Sequence, residues 1–232
     1  MILWVTVGIF IVVGFHVILK FVNIGKSELS TSIHPMRRLQ HVFTGLIIAA
    51  IFYYVTYEQG KIMITIPAVL FFLFDLIRRK VSPQVNQWFL ANWGSLLRPH
   101  ERFDSAPAAI FFLLGIAAVF WITEDRAIIY LSIFYVSLCD PAASVFGILF
   151  GKIKISQKKT LEGTLAASIV GGILSLIVGH AFTRNFSFFF GFLVALVAEV
   201  VEIPGLDDNF TIPVISALIW ESSKIFPGAL IS

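Results

Sequence analysis

The chain contains little charge and a single cysteine. Of its 232 residues, 13% are charged and 58% are hydrophobic, with a mean hydropathy of +0.90. A soluble domain of this size cannot bury so much apolar surface, so the composition excludes a soluble globular protein and indicates an integral membrane protein. Cys139 is the one cysteine, and it cannot form a disulfide within the chain. A disulfide-stabilised scaffold is therefore excluded as well.

Several common catalytic and binding motifs are also absent from the sequence. It contains no Walker A pattern, no Cys/His spacing typical of a zinc site and no Gly-x-Ser-x-Gly turn. The net charge of +3 comes mainly from Lys and Arg beside apolar runs, which is typical of membrane-flanking loops. Nucleic acid is therefore excluded as a partner.

Eight apolar runs approach the roughly 20 residues that a membrane-spanning helix needs. They cover approximately residues 2–22, 42–57, 62–77, 106–123, 127–150, 163–182, 186–203 and 212–231. The predicted fold is all-α, a polytopic integral membrane protein with seven or eight transmembrane helices, one or more of them broken. Residues 1–36 are assigned to an N-terminal transmembrane anchor and basic loop, and residues 37–232 to a membrane-embedded catalytic domain.

The basic residues lie mostly on alternate connections between these runs. Under an eight-span arrangement, 13 of the 17 Lys and Arg residues fall on the first, third and fifth connections. The positive-inside rule places these loops in the cytosol. The polar clusters described next lie on the same side, so we expect substrates to arrive from the cytosol. The membrane is expected to be the bacterial inner membrane or the endoplasmic reticulum.

The segment 140–164 combines a carboxylate, small residues and four lysines within an apolar chain. Asp140 precedes Pro141, and proline disfavours the α conformation in the residue before it, so we expect the helix to kink or stop there. Ala143 and the spacing Gly147-x-x-x-Gly151 predict that another helix packs closely against this one. Asp140 itself is a functional candidate, because charge inside an apolar run is expensive.

Two lysines and a threonine directly precede the sixth apolar run. Thr160 can cap the helix, and a helix N-terminus beside Lys158 and Lys159 favours phosphate through N–H donors, helix dipole and charge. The alternative is that these lysines only contact lipid headgroups. Glu162 favours the phosphate site, because a carboxylate in this basic turn serves neither topology nor binding to anionic lipid.

A second acidic cluster follows the seventh apolar run. Glu199 and Glu202 share a helix face, and Glu199 lies within the apolar run, where an ionisable residue is a functional hypothesis by default. Asp207, Asp208 and Asn209 offer oxygen ligands of the kind that Mg²⁺ takes together with substrate phosphates. A solvated acidic loop is the alternative.

Two further basic clusters precede apolar runs. One contains Arg98 and Glu101, and the other contains Arg37, Arg38 and His41. Each could bind a nucleotide or a lipid headgroup, and each could equally be a basic flank of the membrane.

At these four clusters the chain resembles the CTP-dependent lipid-alcohol kinases, the family of dolichol kinase, phytol kinase and the CTP-using diacylglycerol kinase. The blocks are RRLQH at 37–41, LLRPHERFDSAPAAIFFLLG at 96–115, LCDPAASVFGILFGKIKISQKKTLEGTLA at 138–166 and EVVEIPGLDDNFTIPVISAL at 199–218. The family usually has an acidic residue followed by a small one where this chain has Asp140-Pro141. The third block also resembles phosphatidate cytidylyltransferase. This chain lacks the C-terminal His-Gly-Gly of that enzyme, which favours the kinase.

The resemblance implies that CTP donates a phosphoryl group to the hydroxyl of a membrane lipid alcohol, which the sequence does not identify. With the clusters, it implies that Mg²⁺ is held by Asp140, Asp207 and Asp208. It implies that the nucleotide is bound by Lys152, Lys158, Lys159, Thr160, Gly163, Asn209, Arg98 and Glu101, the last two by resemblance alone. Glu162 or Glu199 would orient a ligand or accept the hydroxyl proton. Phosphatidate cytidylyltransferase is the alternative. An ion-coupled transporter is a remote one, because intramembrane acids and broken helices also occur in transporters.

Overall fold

A computed structural model describes residues 35–94, 97–201 and 203–225. The first apolar run, Glu202 and the end of the last apolar run lie outside the described residues, and so does nearly all of the assigned anchor. The division into an anchor and a catalytic domain stays a prediction.

The described residues are helical apart from loops and one isolated β-bridge between Lys154 and Thr160. The α-helices are α1 (Pro35–Tyr53), α2 (Tyr57–Leu76), α3 (Pro83–Trp93), α4 (Ala108–Ile122), α5 (Arg126–Phe134), α6 (Asp140–Phe150), α7 (Leu161–Ala181), α8 (Phe188–Val200) and α9 (Asp208–Ser223). Two π-helical turns, Ile77–Val81 and Tyr135–Cys139, follow α2 and α5, and a 3₁₀ turn, Pro99–Arg102, precedes α4. The all-α prediction is confirmed for this part of the chain.

Three helical stretches in the described ranges are long and apolar enough to cross a membrane. They are Tyr57–Val81, Arg126–Phe150 and Leu161–Ala181, and shorter apolar helices cover Arg38–Tyr53, Ala108–Ile122 and Phe188–Val200. A membrane-spanning bundle is compatible with these lengths. The number of seven or eight spans stays a prediction.

Helix α2 begins before the apolar run that predicts it. Gln59 N–H donates to Thr56 Oγ1 over 3.3 Å, and Thr56 N–H donates to Gln59 Oε1 over 3.0 Å. This reciprocal capping box satisfies free N–H groups of the first turn, so the helix starts at Tyr57. Pro67 lies inside α2, as membrane helices tolerate when neighbouring groups satisfy the freed backbone.

The chain stays helical at Asp140, where the sequence predicts a kink or a stop. The π-helical turn Tyr135–Cys139 joins α5 to α6, and the N–H of Asp140 donates to the carbonyl of Tyr135. Pro141 then falls in the first turn of α6, where a missing N–H is tolerated. The helix therefore does not stop, and a widened turn takes up the irregularity.

Small residues bring α6 and the start of α7 into close contact. A Cβ placed on Gly163 would lie 2.4 Å from the carbonyl oxygen of Ala143, and one on Gly151 would lie 2.8 Å from Thr160 Cγ2. The predicted close packing of this face is confirmed. It fixes the loop 151–160 at the end of α6.

Polar interhelical contacts gather at two ends of the bundle. The site end is defined by Arg38, His41, Arg98, Lys159, Glu199 and residues 207–209. The far end is defined by Val55, Thr123, Asp125, Arg126, Arg184, Glu221 and Lys224. At the far end, Asp125 pairs with Arg184 at 3.3 Å and with Lys224 at 3.4 Å. The distribution of Lys and Arg among the connections in the sequence also puts Arg126, Arg184 and Lys224 on the opposite side from the basic residues of the site end.

Candidate functional site

Lys159 is the central cation of the site end. Its side chain is 6% exposed, and its Nζ lies 3.2 Å from Asp208 Oδ1 and 3.9 Å from Glu199 Oε1. The ammonium also donates to the backbone carbonyl of Glu199. Removing an ammonium from water is costly, and two carboxylates offset that cost. Lys159 thereby joins the residues before α7 to the end of α8 and the start of α9.

The loop 151–160 places Lys159 by folding back on itself. Ile155 N–H donates to the carbonyl of Lys159 over 2.9 Å, and Leu161 N–H donates to that of Ile153 over 2.8 Å. The carboxylate of Glu162 accepts from Ile153 N–H at 3.3 Å. Glu162 therefore helps to hold the loop 151–160 in place.

Thr160 caps α7 as the sequence predicts. Its hydroxyl accepts from Gly163 N–H at 3.3 Å, and its backbone is extended. Lys152 and Lys158 are exposed on the loop that precedes the cap, whereas Lys159 is buried. Their predicted contacts with phosphate stay predictions.

A chain of polar side chains links the other predicted clusters. Arg98 Nη1 lies 3.5 Å from Asp207 Oδ2, and Asn209 N–H donates to Asp207 Oδ1 over 3.1 Å. Asn209 Oδ1 lies 2.5 Å from His41 Nε2. The start of α1, the 3₁₀ turn and the start of α9 therefore meet at one place, although these segments are far apart in sequence.

Glu101 closes the 3₁₀ turn that carries Arg98. Glu101 is 3% exposed; its carboxylate Oε2 accepts from Arg98 N–H at 2.7 Å and its Oε1 from Ala108 N–H at 3.0 Å. Because Ala108 is the first residue of α4, one buried carboxylate satisfies a donor of the turn and a free donor of the helix. A contact between Glu101 and the nucleotide stays a prediction.

Asp140 opens α6 beside the start of α1. The carbonyl of Pro141 accepts from Arg38 Nη1 at 3.5 Å, so the basic start of α1 contacts the first turn of α6, the turn that contains Asp140. The structure thus connects the side chain of Arg38 to the 138–166 block.

The site's carboxylates suit Mg²⁺ chemically. Among the described residues, no three His, Cys, Asp or Glu side chains are grouped to hold a metal ion. Mg²⁺ bound with substrate phosphates and water needs only one or two protein carboxylates, and the side chain of Asp208 is 37% exposed. The metal-binding roles of Asp140, Asp207 and Asp208 stay predictions.

A second buried charged network was missed by the sequence analysis. Asp75 is fully buried and Arg78 is 1% exposed; Arg78 Nη2 lies 2.7 Å from Asp75 Oδ1, and Arg79 Nε donates to Asp75 Oδ2 over 2.7 Å. A signal was present, because Asp75 lies within the apolar run 62–77, where an ionisable residue is expected to be functional.

Comparison with known proteins gives one family match and several relatives. A family model described as "Cytidylyltransferase family" matches residues 1–205. A protein named CTP-dependent diacylglycerol kinase 1 from Eremothecium gossypii is 29% identical over 197 residues, covering 74% of this chain and 61% of the relative. The protein of the same name from Saccharomyces cerevisiae is 27% identical over 179 residues, covering 66% of this chain and 60% of the relative.

A third relative, from Schizosaccharomyces pombe and also named CTP-dependent diacylglycerol kinase 1, is 30% identical over 142 residues, covering 54% of this chain and 64% of the relative. The chain thus spans less than two thirds of the length of each of these relatives. No solved structure matches the chain significantly.

Proposed function

Because the chain belongs to the cytidylyltransferase family, we propose that it is a CTP-dependent lipid kinase that phosphorylates the hydroxyl of a membrane lipid alcohol. The names of the three relatives make diacylglycerol the first acceptor to test, followed by polyprenol, dolichol and phytol. The observation that carries the proposal is the ammonium of Lys159 between Glu199 and Asp208. It brings the lysine-containing block and the C-terminal acidic block, two of the blocks that carry the resemblance, to one point.

Phosphoryl transfer to an alcohol requires charge neutralisation and alignment more than covalent chemistry by the protein. Lys159 and Arg98 supply cations, and both contact carboxylates at the start of α9. The N-termini of α7 and α9 add N–H donors that favour phosphate. We assign binding of the nucleotide phosphates to these two cations and the two helix N-termini. The phosphates would compete for the cations with the carboxylates of Asp207 and Asp208.

Mg²⁺ fits the same place through hard oxygen ligands. Asp208 and Asp140 are the residues that we expect to hold it, and the ion would neutralise charge on the CTP phosphates. Asp207 already accepts from Asn209 and lies beside Arg98, so we assign it mainly to positioning those two side chains.

Transfer onto a hydroxyl releases a proton, and a nearby carboxylate is one of the groups that can accept it. Glu199 lies in the last turn of α8, and its side chain is 8% exposed and beside Lys159. Glu162 instead accepts from Ile153 N–H. We therefore assign proton acceptance to Glu199 and support of the loop 151–160 to Glu162.

The proposal places the site end at the cytosolic face. The basic connections support this orientation through the positive-inside rule. The lipid alcohol would enter sideways from the bilayer with its hydroxyl at the interface, because the charged groups of the site lie at the ends of apolar helices. Seven or eight spans complete the proposed topology.

Phosphatidate cytidylyltransferase activity is the second candidate, because the family to which the chain belongs is named for cytidylyl transfer. In that reaction CMP would be transferred to phosphatidate and diphosphate released. The two reactions use different phosphorus atoms of CTP, so labelling separates them.

The deciding experiment incubates detergent-purified protein with CTP labelled at the α or the γ phosphorus. Diacylglycerol, polyprenol, phytol and phosphatidate are tested as acceptors in parallel. Transfer of γ label to an alcohol supports the kinase, and transfer of α label to phosphatidate supports the alternative. Absence of CTP turnover with every acceptor would remove the enzyme proposal. Asp140→Asn should abolish transfer while the protein still folds; full activity in this variant would refute the role of Asp140.

A further inference from the structure

Arg78 fastens three separate elements through one buried guanidinium. It extends from the π-helical turn after α2 and donates to Asn86 Oδ1 of α3 over 2.9 Å. It also donates to the backbone carbonyls of Glu101 over 3.0 Å and Arg102 over 3.1 Å. The guanidinium lies 4.6 Å from the ring centre of Phe89. The 3₁₀ turn is thereby attached to the end of α2.

Asp75 holds this guanidinium in place. Its carboxylate contacts Arg78 at 2.7 Å and Arg79 at 2.5 Å. Arg79 in turn donates to the carbonyl of Asp104 over 3.3 Å. Two buried cations without this carboxylate would be strongly unfavourable. Asp75 is therefore the group that allows α2 to present two arginines to the backbone of residues 101–104.

The fastened backbone carries Arg98 to the site end. On its other side the turn is closed by the Glu101 carboxylate, which accepts from the N–H groups of Arg98 and Ala108. The guanidinium of Arg98 then lies 3.5 Å from Asp207 Oδ2. A continuous set of contacts thus runs from Asp75 through the turn to Asp207 and the start of α9.

We propose that Asp75 and Arg78 are positioning residues for the nucleotide site, which they serve by fixing the 3₁₀ turn that presents Arg98 to Asp207. The proposal rests on the proposed function, because the ligand that Arg98 would meet is the phosphate of CTP. Neither residue touches the reacting atoms. They determine the position of the Arg98 side chain before the nucleotide binds.

Arg126 offers a matched control at the far end. It donates to the carbonyl of Val55 over 3.0 Å and to that of Phe52, and it lies 4.2 Å from the ring centre of Phe52. Like Arg78, it attaches one helix end to two backbone carbonyls and contacts a phenylalanine ring. Its contacts lead away from the site end, so its loss reports the stability cost of removing such an arginine.

The experiment compares Arg78→Gln and Arg78→Lys with Arg126→Gln and Arg126→Lys in the full chain. Steady-state rates give KM and kcat for CTP, and hydrogen exchange follows the peptide 97–110. Arg78→Lys keeps a charge beside Asp75 but loses the planar guanidinium fork. It therefore remains informative where Arg78→Gln folds poorly.

We expect both Arg78 variants to raise KM for CTP about tenfold with a smaller change in kcat. The reason is that a misplaced Arg98 weakens binding of the nucleotide similarly in the ground state and in the transition state. The N–H groups of Arg98 and Ala108 should exchange faster. The Arg126 variants should lower the unfolding temperature while leaving KM for CTP and exchange in 97–110 unchanged.

Two outcomes overturn the proposal. Arg78 variants that behave like the Arg126 variants, losing stability alone, show that the network is only structural. Faster exchange with unchanged KM shows that the turn is fixed by Arg78 without serving the site. Failure of the wild-type protein to use CTP is a separate result. It removes the proposed function, and the exchange data alone then decide whether Arg78 positions the segment.

Discussion

Lys159 and Lys224 each face two carboxylates, at opposite ends of the bundle. Lys159 Nζ lies 3.2 Å from Asp208 and 3.9 Å from Glu199, and its side chain is 6% exposed. Lys224 Nζ lies 2.8 Å from Glu221 and 3.4 Å from Asp125, and its side chain is 40% exposed. Exposed pairs contribute little to stability, whereas buried charges depend on their partners. Burial therefore distinguishes the two ends better than the number of ion pairs does.

The largest expected effect comes from removing the buried lysine. Lys159→Met should abolish CTP turnover and lower the free energy of unfolding by about 3–5 kcal/mol, because Glu199 and Asp208 lose their shared cation. Denaturant unfolding in detergent and the labelled-CTP assay measure the two effects. Lys224→Met is the control, with an expected cost of about 0–1 kcal/mol and normal turnover. Equal costs at both ends would refute the distinction by burial.

The next effect separates catalysis from stability at a carboxylate. Asp208→Asn keeps the shape of the first residue of α9 but removes its charge, and should lower kcat about 10²-fold through lost charge stabilisation. Asp125→Asn retains a good N-cap for α5 and loses ion pairs whose basic partners are exposed, so it should cost about 1 kcal/mol or less with unchanged kcat. A similar loss of kcat in the two variants would contradict the assignment of the site end.

A smaller effect is expected for the hydrogen bond between His41 and Asn209. A double-mutant cycle with His41→Ala and Asn209→Ala should give a coupling energy of about 1 kcal/mol in stability. The same cycle on Thr123 and Glu221, which are 2.6 Å apart at the far end, should give a similar value. Substitutions of His41 and Asn209 should also affect KM for CTP non-additively, whereas those of Thr123 and Glu221 should leave KM unchanged. Non-additive effects on KM in the second pair would contradict the functional difference between the two ends.

The smallest effect is expected at a far-end ion pair whose arginine is exposed. Arg184 is 56% exposed and lies 3.3 Å from Asp125. Arg184→Gln should change the free energy of unfolding by about 0.5 kcal/mol or less, and this change should shrink further in high salt, because salt screens exposed charges. A loss above 1 kcal/mol would show that the far end is more strongly coupled than its exposure indicates.

Local chemistry made part of this structure predictable from the sequence. Thr160 caps α7 because its hydroxyl reaches an N–H three residues away, and the small face of α6 admits α7 because glycine lacks a Cβ. Each needs only neighbouring residues or a regular spacing. The clusters around Arg98, Lys159 and Asp208 were identified for the same reason, as charges beside or within apolar runs.

Tertiary placement was not predictable in this way. Lys158 and Lys159 are adjacent and chemically identical, and the fold of the loop buries one and exposes the other. Helix α3 lies between apolar runs and was not predicted, because its buried residues Asn86 and Phe89 do not form a long apolar pattern. Asp75 was missed because a single acid barely changes the hydropathy of a long apolar run.

The π-helical turn Tyr135–Cys139 determines how the residues of α6 are rotated about the helix axis relative to those of α5. The hydroxyl of Tyr135 in this turn donates to the carbonyl of Gly191 over 3.1 Å and lies 3.4 Å from the carbonyl oxygen of Gly171, which holds the widened turn against α7 and α8. Each residue of an α-helix advances the chain by about 100° of rotation. Deleting one residue here would therefore turn Asp140 through about that angle relative to Arg126. A deletion or insertion in this turn would therefore change the direction of the Asp140 side chain, whereas a substitution that keeps the helix would leave that direction unchanged.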